Sequence, residues 1–381
     1  REAEVELLVL AQHWAVMHSA DRLDPHQQRL PGRERARRYG GEGVAEVTEF
    51  AAAELGARIG ATTWAAARLI GDAQDLHHRH PALWARVQAL EVRASYARHV
   101  DWLSGFPAAA LFAAGGTGEF FSLTSKEIGQ VVRAAKEASG ATPIISGCGY
   151  GTEMAREIVR EAEAAGADGI LLLPHYLMRV PQEGLFQHIR SVCASTGLGV
   201  IVYNRDNSIC STETLQRLAG ACPNLIGFKE FGGADDLRYA AEHITSQDDE
   251  VSLMVGVDTQ VFHGFVNCNA TGAITGVGNA LPREVLQLVA LCEKAAKGDL
   301  VARRQAQELE SALAVLSSFD EGVDLVLYYK QLMVLNGESA YELHFNESDA
   351  LSDAQRRYVE TQYALFREWY KQWSAQLGNV G

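Results

Sequence analysis

Apolar and polar positions follow two different rhythms along the chain. Up to about residue 96 the rhythm is helical. In VELLVLAQHWAVMH (5–18) apolar side chains recur every three to four positions, which lines one face of a helix. Pro25, Pro31 and Gly32 interrupt it. EVTEFAAAELGARIG (46–60), TTWAAARLIGDAQDLHHR (62–79) and PALWARVQALEV (81–92) resume it. Their alanine content favours helix, and Pro81 suits a first helical turn. From about residue 100 the pattern changes. Short apolar runs at 108–116, 142–149, 168–174, 198–204, 224–230, 251–258 and 270–278 alternate with amphipathic stretches such as 125–138, 153–166 and 234–244. Strand followed by helix, seven times over, predicts an α/β protein with a parallel sheet. The unbroken apolar runs predict strands buried on both faces. From about 282 to 375 nothing reads as a strand, and three or four long helices are expected.

Seven such units are one short of a (β/α)8 TIM barrel. An open, doubly wound sheet is the other architecture this pattern allows. TGE, YN, KE and VD all follow apolar runs, so their polar groups would collect at one rim, where barrels carry their sites. The expected organisation is a helical segment over 1–96, a barrel over 97–298 holding strands two to eight without the first, and a C-terminal helical extension over 299–381.

Composition marks the same division. Residues 1–100 contain 13 arginines, 13 acids and no lysine, so the whole net charge of −14 falls on the remainder. A surface this acidic argues against non-specific nucleic-acid binding. No apolar run of 18 residues is free of charge, which argues against a transmembrane helix. Arg1 to Glu6 does not read as a secretion signal. The six cysteines are never closer than 12 residues, a spacing that matches neither a zinc site nor a disulfide scaffold. Reduced, buried thiols in a cytoplasmic enzyme are expected.

Lys229 ends the run LIGFKE. A lysine at a barrel mouth loses hydration, which disfavours its charged form and makes it a nucleophile for carbonyl groups. A lysine reaching from the strand end into solvent is the alternative. Tyr203, at the end of VIVYN, is either a proton shuttle beside Lys229 or a core aromatic whose hydroxyl reaches the rim. GGTGEF (115–120) is either a loop whose amides and Thr117 hold a carboxylate or a plain tight turn. It lacks the Gly-Lys-Ser/Thr of a phosphate loop and the spacing of a dinucleotide site. His77, His78 and His80 are expected to be a solvated helix end rather than a metal site.

Taken together, GTGE, YN and GFKE on successive strand ends resemble the dihydrodipicolinate synthase/N-acetylneuraminate lyase superfamily, which are Schiff-base lyases and aldolases on (β/α)8 barrels. Within it, residues 97–222 resemble the 5-dehydro-4-deoxyglucarate dehydratases through LFAAGGTGEFFSLT (111–124), GCGYGT (147–152), LLLPHYL (171–177), PQEGL (181–185) and VIVYNRDN (200–207). Residues 224–381 instead resemble the Δ1-pyrroline-4-hydroxy-2-carboxylate deaminases through FKEFGGADDLRYAAEHITSQDDE (228–250), LMVGVDTQVFHGFVNC (253–268), SSFDEGVDLVLYYK (317–330) and LMVLNGE (332–338). Residues 1–96 are similar to a helical domain of unknown function that precedes bacterial HNH endonucleases, but no nuclease motif follows. The chain therefore reads as a three-part chimera.

The resemblance implies Lys229 as the Schiff-base lysine and Tyr203 as the proton relay. It implies substrate binding by Gly116 and Thr117, where many members have two threonines. Tyr176 matches a tyrosine that reaches a neighbouring subunit's site in some relatives, and Ile274 a weaker contact on the last strand. Arg205 and Asn207, from the dehydratase-like part, would read the far end of a sugar diacid. The expected substrate is a small 2-oxo acid or a cyclic imino acid, and both branches give 2,5-dioxopentanoate. No metal or organic cofactor is implied, and no membrane partner. The superfamily's dimers and tetramers imply a homo-oligomer, to which the helical segment is an obstacle. An inactive fusion whose helical module serves in protein interaction is the reading from outside enzymology.

Overall fold

A computed structural model describes residues 2–24, 26, 33–90, 92–175, 180–244, 251–322, 324–342, 344 and 349–378. Contacts divide the chain into two compact units, residues 1–104 with 134–140, and residues 105–133 with 141–381.

The first unit contains α1 (Glu2–Met17), β1 (Ala36–Arg37), β2 (Val47–Thr48), α2 (Ala51–Ile59), α3 (Thr63–Gln74), α4 (Pro81–Gln88) and α5 (Ala94–Ser104). Leu8, Ala11 and Trp14 of α1 are buried, as are Ala51 and Leu55 of α2 and Ala66 and Ile70 of α3. Small residues let these helices approach closely, and Trp14 Nε1 donates to the Ala51 carbonyl at 2.9 Å. The helix expected over 46–60 starts only at Ala51. β-branched Val47 and Thr48 pair instead with Ala36 and Arg37 in an antiparallel ladder. His80 is not simply solvated: its Nε2 lies 3.1 Å from Asp101 Oδ1, and Arg79 pairs with the same carboxylate at 3.0 Å.

The second unit follows the strand–helix rhythm. It runs β3 (Leu111–Ala113), α6 (Ser125–Ala138), β4 (Ile144–Cys148), α7 (Thr152–Ala164), β5 (Gly169–Leu172), α8 (Gln182–Cys193), β6 (Gly199–Asn204), α9 (Thr212–Ala221), β7 (Leu225–Glu230), α10 (Ala234–His243), β8 (Ser252–Val255), α11 (Val261–Asn267), β9 (Gly272–Ala273) and α12 (Pro282–Ala296). The helices α13 (Leu300–Ser317), α14 (Leu325–Leu335) and α15 (Asp353–Gly378) follow. The seven strands form one parallel sheet in sequence order, β3 to β9. This is the curled sheet of a TIM barrel, with seven strands among the described residues and no pairing that joins β3 to β9.

Local chemistry sets where each element starts. Thr124 and Glu127 form a reciprocal capping box at α6, with Thr124 N donating to Glu127 Oε2 at 2.9 Å and Glu127 N to Thr124 Oγ1 at 3.3 Å. Ser211 caps α9 and Asp299 caps α13 through their side-chain oxygens. Asn224 fixes the approach to β7 by donating its amide to the carbonyls of Cys193, Thr196 and Leu198 at 2.9–3.1 Å. β4 carries Gly147 because a Cβ there would lie 1.9 Å from the Ala114 carbonyl oxygen. The core between sheet and helices is built on Ile144, Ile158, Ile170, Leu185, Ile189 and Phe228, all fully buried.

Phe228 stands next to Lys229 on β7 and has no exposed surface. Phe228→Ala is expected to cost about 3–5 kcal/mol through lost burial and the cavity left behind. Urea unfolding followed by circular dichroism should show the midpoint fall by a corresponding amount.

Candidate active site

The rim where β6 and β7 end holds the chemistry that the sequence singles out. The two strands pair in parallel with Tyr203 opposite Lys229 and Asn204 opposite Glu230. Strand alternation turns Lys229 to one face and Phe228 and Glu230 to the other. The Lys229 ammonium nitrogen lies 3.8 Å from the centroid of the Tyr203 ring, a cation–π geometry. Its stem lies along β8's extension, where a Cβ on Gly256 would come within 2.8 Å of Lys229 Cε. Glycine at 256 therefore gives the side chain its room.

Lys229 is 7% exposed. Burial pushes its amine down to about 8; the negative charges of Asp258 and Asp320 oppose this, and the Arg205 guanidinium adds to it. Tyr203 is also buried, and burial pushes its phenol up to about 12, with Arg205 pulling against the rise and Asp320 and Asp206 adding to it. A phenol that keeps its proton thus faces an amine that gives its proton up readily. That combination suits imine chemistry, where a neutral amine attacks and a nearby acid helps the hydroxyl leave.

Arg205 donates from Nη1 to the Tyr203 hydroxyl oxygen at 3.2 Å, pairs through Nε with Asp206 at 3.1 Å, and stacks 3.7 Å from the Phe231 ring centroid. These contacts hold Tyr203's hydroxyl from one side. Asn207 sits half-buried in the turn that follows. Gly116 is exposed and Thr117 half-buried in the loop after β3, and nothing stands within 4 Å of where a Cβ on Gly116 would lie. Ile274 follows β9 directly, half-buried, and its amide donates to the Val255 carbonyl at 2.9 Å. Tyr176 lies outside the described residues.

The sequence assigns no role to further groups at this rim, although Asn204, Glu230 and Asp258 close the YN, KE and VD strand ends. Asn204 donates to Glu230 Oε2 at 2.7 Å and accepts from the Cys210 amide at 2.8 Å, while Glu230 Oε1 accepts from the Gly232 amide at 2.7 Å. The Asn and Glu of the YN and KE motifs thereby pin the loops that follow β6 and β7. Asp258, just beyond β8, is buried and accepts from the Gly276 and Val277 amides at 3.1 and 2.7 Å and from the Tyr329 hydroxyl at 3.0 Å. Asp320, between α13 and α14, is also buried and accepts the Asp258 amide at 2.8 Å. Lys330 pairs with Glu119 of the GGTGEF loop at 2.7 Å. Asp320, Tyr329 and Lys330 all come from SSFDEGVDLVLYYK, which the sequence marks only by its resemblance. Among the described residues no three His, Cys, Asp or Glu side chains are gathered to hold a metal ion, and no helix is long and apolar enough to cross a membrane.

The sequence matches that of the "Probable 5-dehydro-4-deoxyglucarate dehydratase" of Rhizobium meliloti (strain 1021) with 56% identity over 191 residues, 49% of this chain and 62% of that protein. The protein of the same name from Chelativorans sp. (strain BNC1) is 58% identical over 166 residues, 44% of this chain and 54% of its own length. The chain thus spans less than two thirds of the curated relatives it matches. The fold is similar to that of the 4-hydroxy-tetrahydrodipicolinate synthase of Methylacidiphilum fumariolicum SolV, with a TM-score of 0.67 and 25% identity over 74% of this chain and 93% of that one. The model of the dihydrodipicolinate synthetase family matches residues 88–336, from the end of α4 through α14. With that match spanning more than half of its length and the strands of the matched region forming the parallel sheet described above, the chain belongs to the dihydrodipicolinate synthetase family.

Proposed function

We propose that this protein is a Schiff-base lyase that converts 5-dehydro-4-deoxyglucarate into 2,5-dioxopentanoate, carbon dioxide and water. The observation that carries this reading is the Lys229 amine, buried against the Tyr203 ring at the strand-end rim and held near 8. The relatives' printed name supports the choice of substrate. The six cysteines, all free and buried, suit a reducing cytoplasm.

The steps follow from the geometry and from carbonyl chemistry. Neutral Lys229 attacks the ketone carbon of the 2-oxo acid end. Tyr203, still protonated, gives a proton to the departing hydroxyl, so that water leaves and an iminium remains. The iminium acidifies the adjacent methylene. Loss of that proton gives an enamine, which expels the hydroxyl on the next carbon as a second water. The conjugated iminium then takes up the electron pair released as the distal carboxylate leaves as carbon dioxide. Proton return and hydrolysis, which consumes one water, free the product and Lys229. Gly116 and Thr117 face the carboxylate beside the ketone, Ile274 lines the pocket, and Arg205 and Asn207 stand on the side of the sugar-acid chain. Tyr176 belongs to the same expected binding set, and a homo-oligomer would bring it to a neighbouring subunit.

Borohydride reduction in the presence of 5-dehydro-4-deoxyglucarate should fix an adduct on Lys229, read by peptide mass spectrometry. Absence of the adduct from folded protein would sink the reading. Lys229→Met should abolish it. Turnover of a Δ1-pyrroline-4-hydroxy-2-carboxylate in place of the sugar acid would move the substrate assignment and leave the Schiff base intact. Tyr203→Phe is expected to lower kcat by roughly 10²–10⁴-fold, the usual contribution of a positioned acid–base group, with little change in the amount of protein that unfolds reversibly.

The pH dependence has a definite sign. Burial lowers the amine to about 8, so at pH 7 about one lysine in ten is neutral, against fewer than one in a thousand for an ordinary lysine. The rate of adduct formation should rise about tenfold per pH unit between 6 and 7 and level off above 8. A rise that continues to pH 10 would show an unperturbed lysine.

A further inference from the structure

We propose that Asp320, brought to the rim by the C-terminal extension, is a positioning residue that supplies the counter-charge for the cation formed on Lys229. The inference rests on the Schiff-base reading and deepens it. An iminium draws electrons only while it keeps its positive charge. In a site this dry, a lone cation is costly, and a carboxylate fixed nearby offsets the cost.

The Lys229 stem packs against Gly256, two residues before Asp258, and Asp320 Oδ2 holds the Asp258 amide at 2.8 Å, so both carboxylates stand at the strand end beside the amine. Their charges and the face of the Tyr203 ring favour the cation, and Arg205 opposes it. Asp258 is saturated by the Gly276 and Val277 amides and the Tyr329 hydroxyl. Its charge is already spread over three donors. Asp320 differs. Its Oδ2 accepts the Asp258 amide at 2.8 Å, while its Oδ1 is buried with no hydrogen-bond partner. The groups acting on Asp320 in turn are Asp258, Glu321 and Lys229, of which Lys229 alone is positive. The Asp320 charge also acts on Tyr203.

A buried carboxylate with an unused oxygen, set beside a second carboxylate, is unfavourable in the free protein. Burial and the neighbouring carboxylate both raise its proton affinity. The arrangement becomes favourable when Lys229 turns into a cation that substrate has sealed from solvent. A role confined to holding the Asp258 amide would need only an oxygen acceptor at 320, not a charge. That difference separates the proposal from a structural role.

Asp320→Asn keeps an oxygen for the Asp258 amide and removes the charge. The full chain and this variant would be acetylated competitively with acetic anhydride across pH 6–11, and the protonation midpoint of Lys229 read by mass spectrometry. The midpoint is expected to fall by about one unit in the variant, the size of a nearby charge's effect. Pyruvate adduct captured with borohydride at pH 10, where Lys229 is neutral in both proteins, should drop by about tenfold, the same unit expressed as an equilibrium. An unmoved or raised midpoint overturns the proposal even if the wild type forms its adduct. A lowered midpoint in a protein that forms no adduct supports the charge coupling and overturns the Schiff-base reading instead. Should Asp320→Asn not fold, infrared difference spectra of the wild type at pH 7 decide the matter. A buried carboxylic-acid band should vanish as pyruvate condenses, and an unchanged band overturns the proposal.

Discussion

The cost of burying one primary amine organises the rim of this protein. An ammonium ion loses most of its hydration where β6 and β7 end, and no side chain forms a direct salt bridge with it among the described residues. Its proton is correspondingly loose. The surroundings then act as a balance. Arg205 and burial favour the neutral amine, while Asp258 and Asp320 favour the cation. In the proposed reaction, a nucleophile that is neutral when it attacks and positive afterwards needs both sides of that balance. Parallel register supplies the frame by setting Tyr203 opposite Lys229, and Gly256 leaves room for the stem.

The extension after the barrel is part of this arrangement. Asp320 holds the Asp258 amide, Tyr329 donates to the Asp258 carboxylate, and Lys330 reaches Glu119 in the loop after β3. Three residues within eleven positions thus touch two strand-end segments of the sheet. The Tyr329 ring also lies over Gly276, where a Cβ would meet it at 2.4 Å. The extension and the strand ends are mutually fitted.

Much of the second unit is legible in the sequence because parallel strands buried on both faces leave unbroken apolar runs. All seven runs contain the observed strands, and the helix expected over 125–138 has those bounds. Lys229 and Tyr203 stand out for the same reason: a polar group closing an apolar run has few reasons to be there. Asp320 and Tyr329 do not stand out, and Asp258 does so only as the polar end of an apolar run. Their contacts span 62 and 71 residues, and an aspartate in a polar turn looks the same whether it faces water or a buried amide. Arg205's contacts with Tyr203, Asp206 and Phe231 are likewise a geometry that adjacent sequence positions conceal. The short β1–β2 ladder was hidden by alanines downstream, whose helical propensity extended the apparent helix back to residue 46.

Asp320, Tyr329 and Lys330 also bear on the order of events at the ribosome. Chains emerge from their N-terminal end at some 5–20 residues per second, so Lys229 leaves the exit tunnel several seconds before the residues that fix Asp258 and the loop after β3. Until then Asp258 lacks the acceptor for its amide and one donor to its carboxylate, which Asp320 and Tyr329 supply. Because the last pieces of the rim are encoded about a hundred positions downstream of Lys229, the strand ends reach their final arrangement only once the extension has emerged.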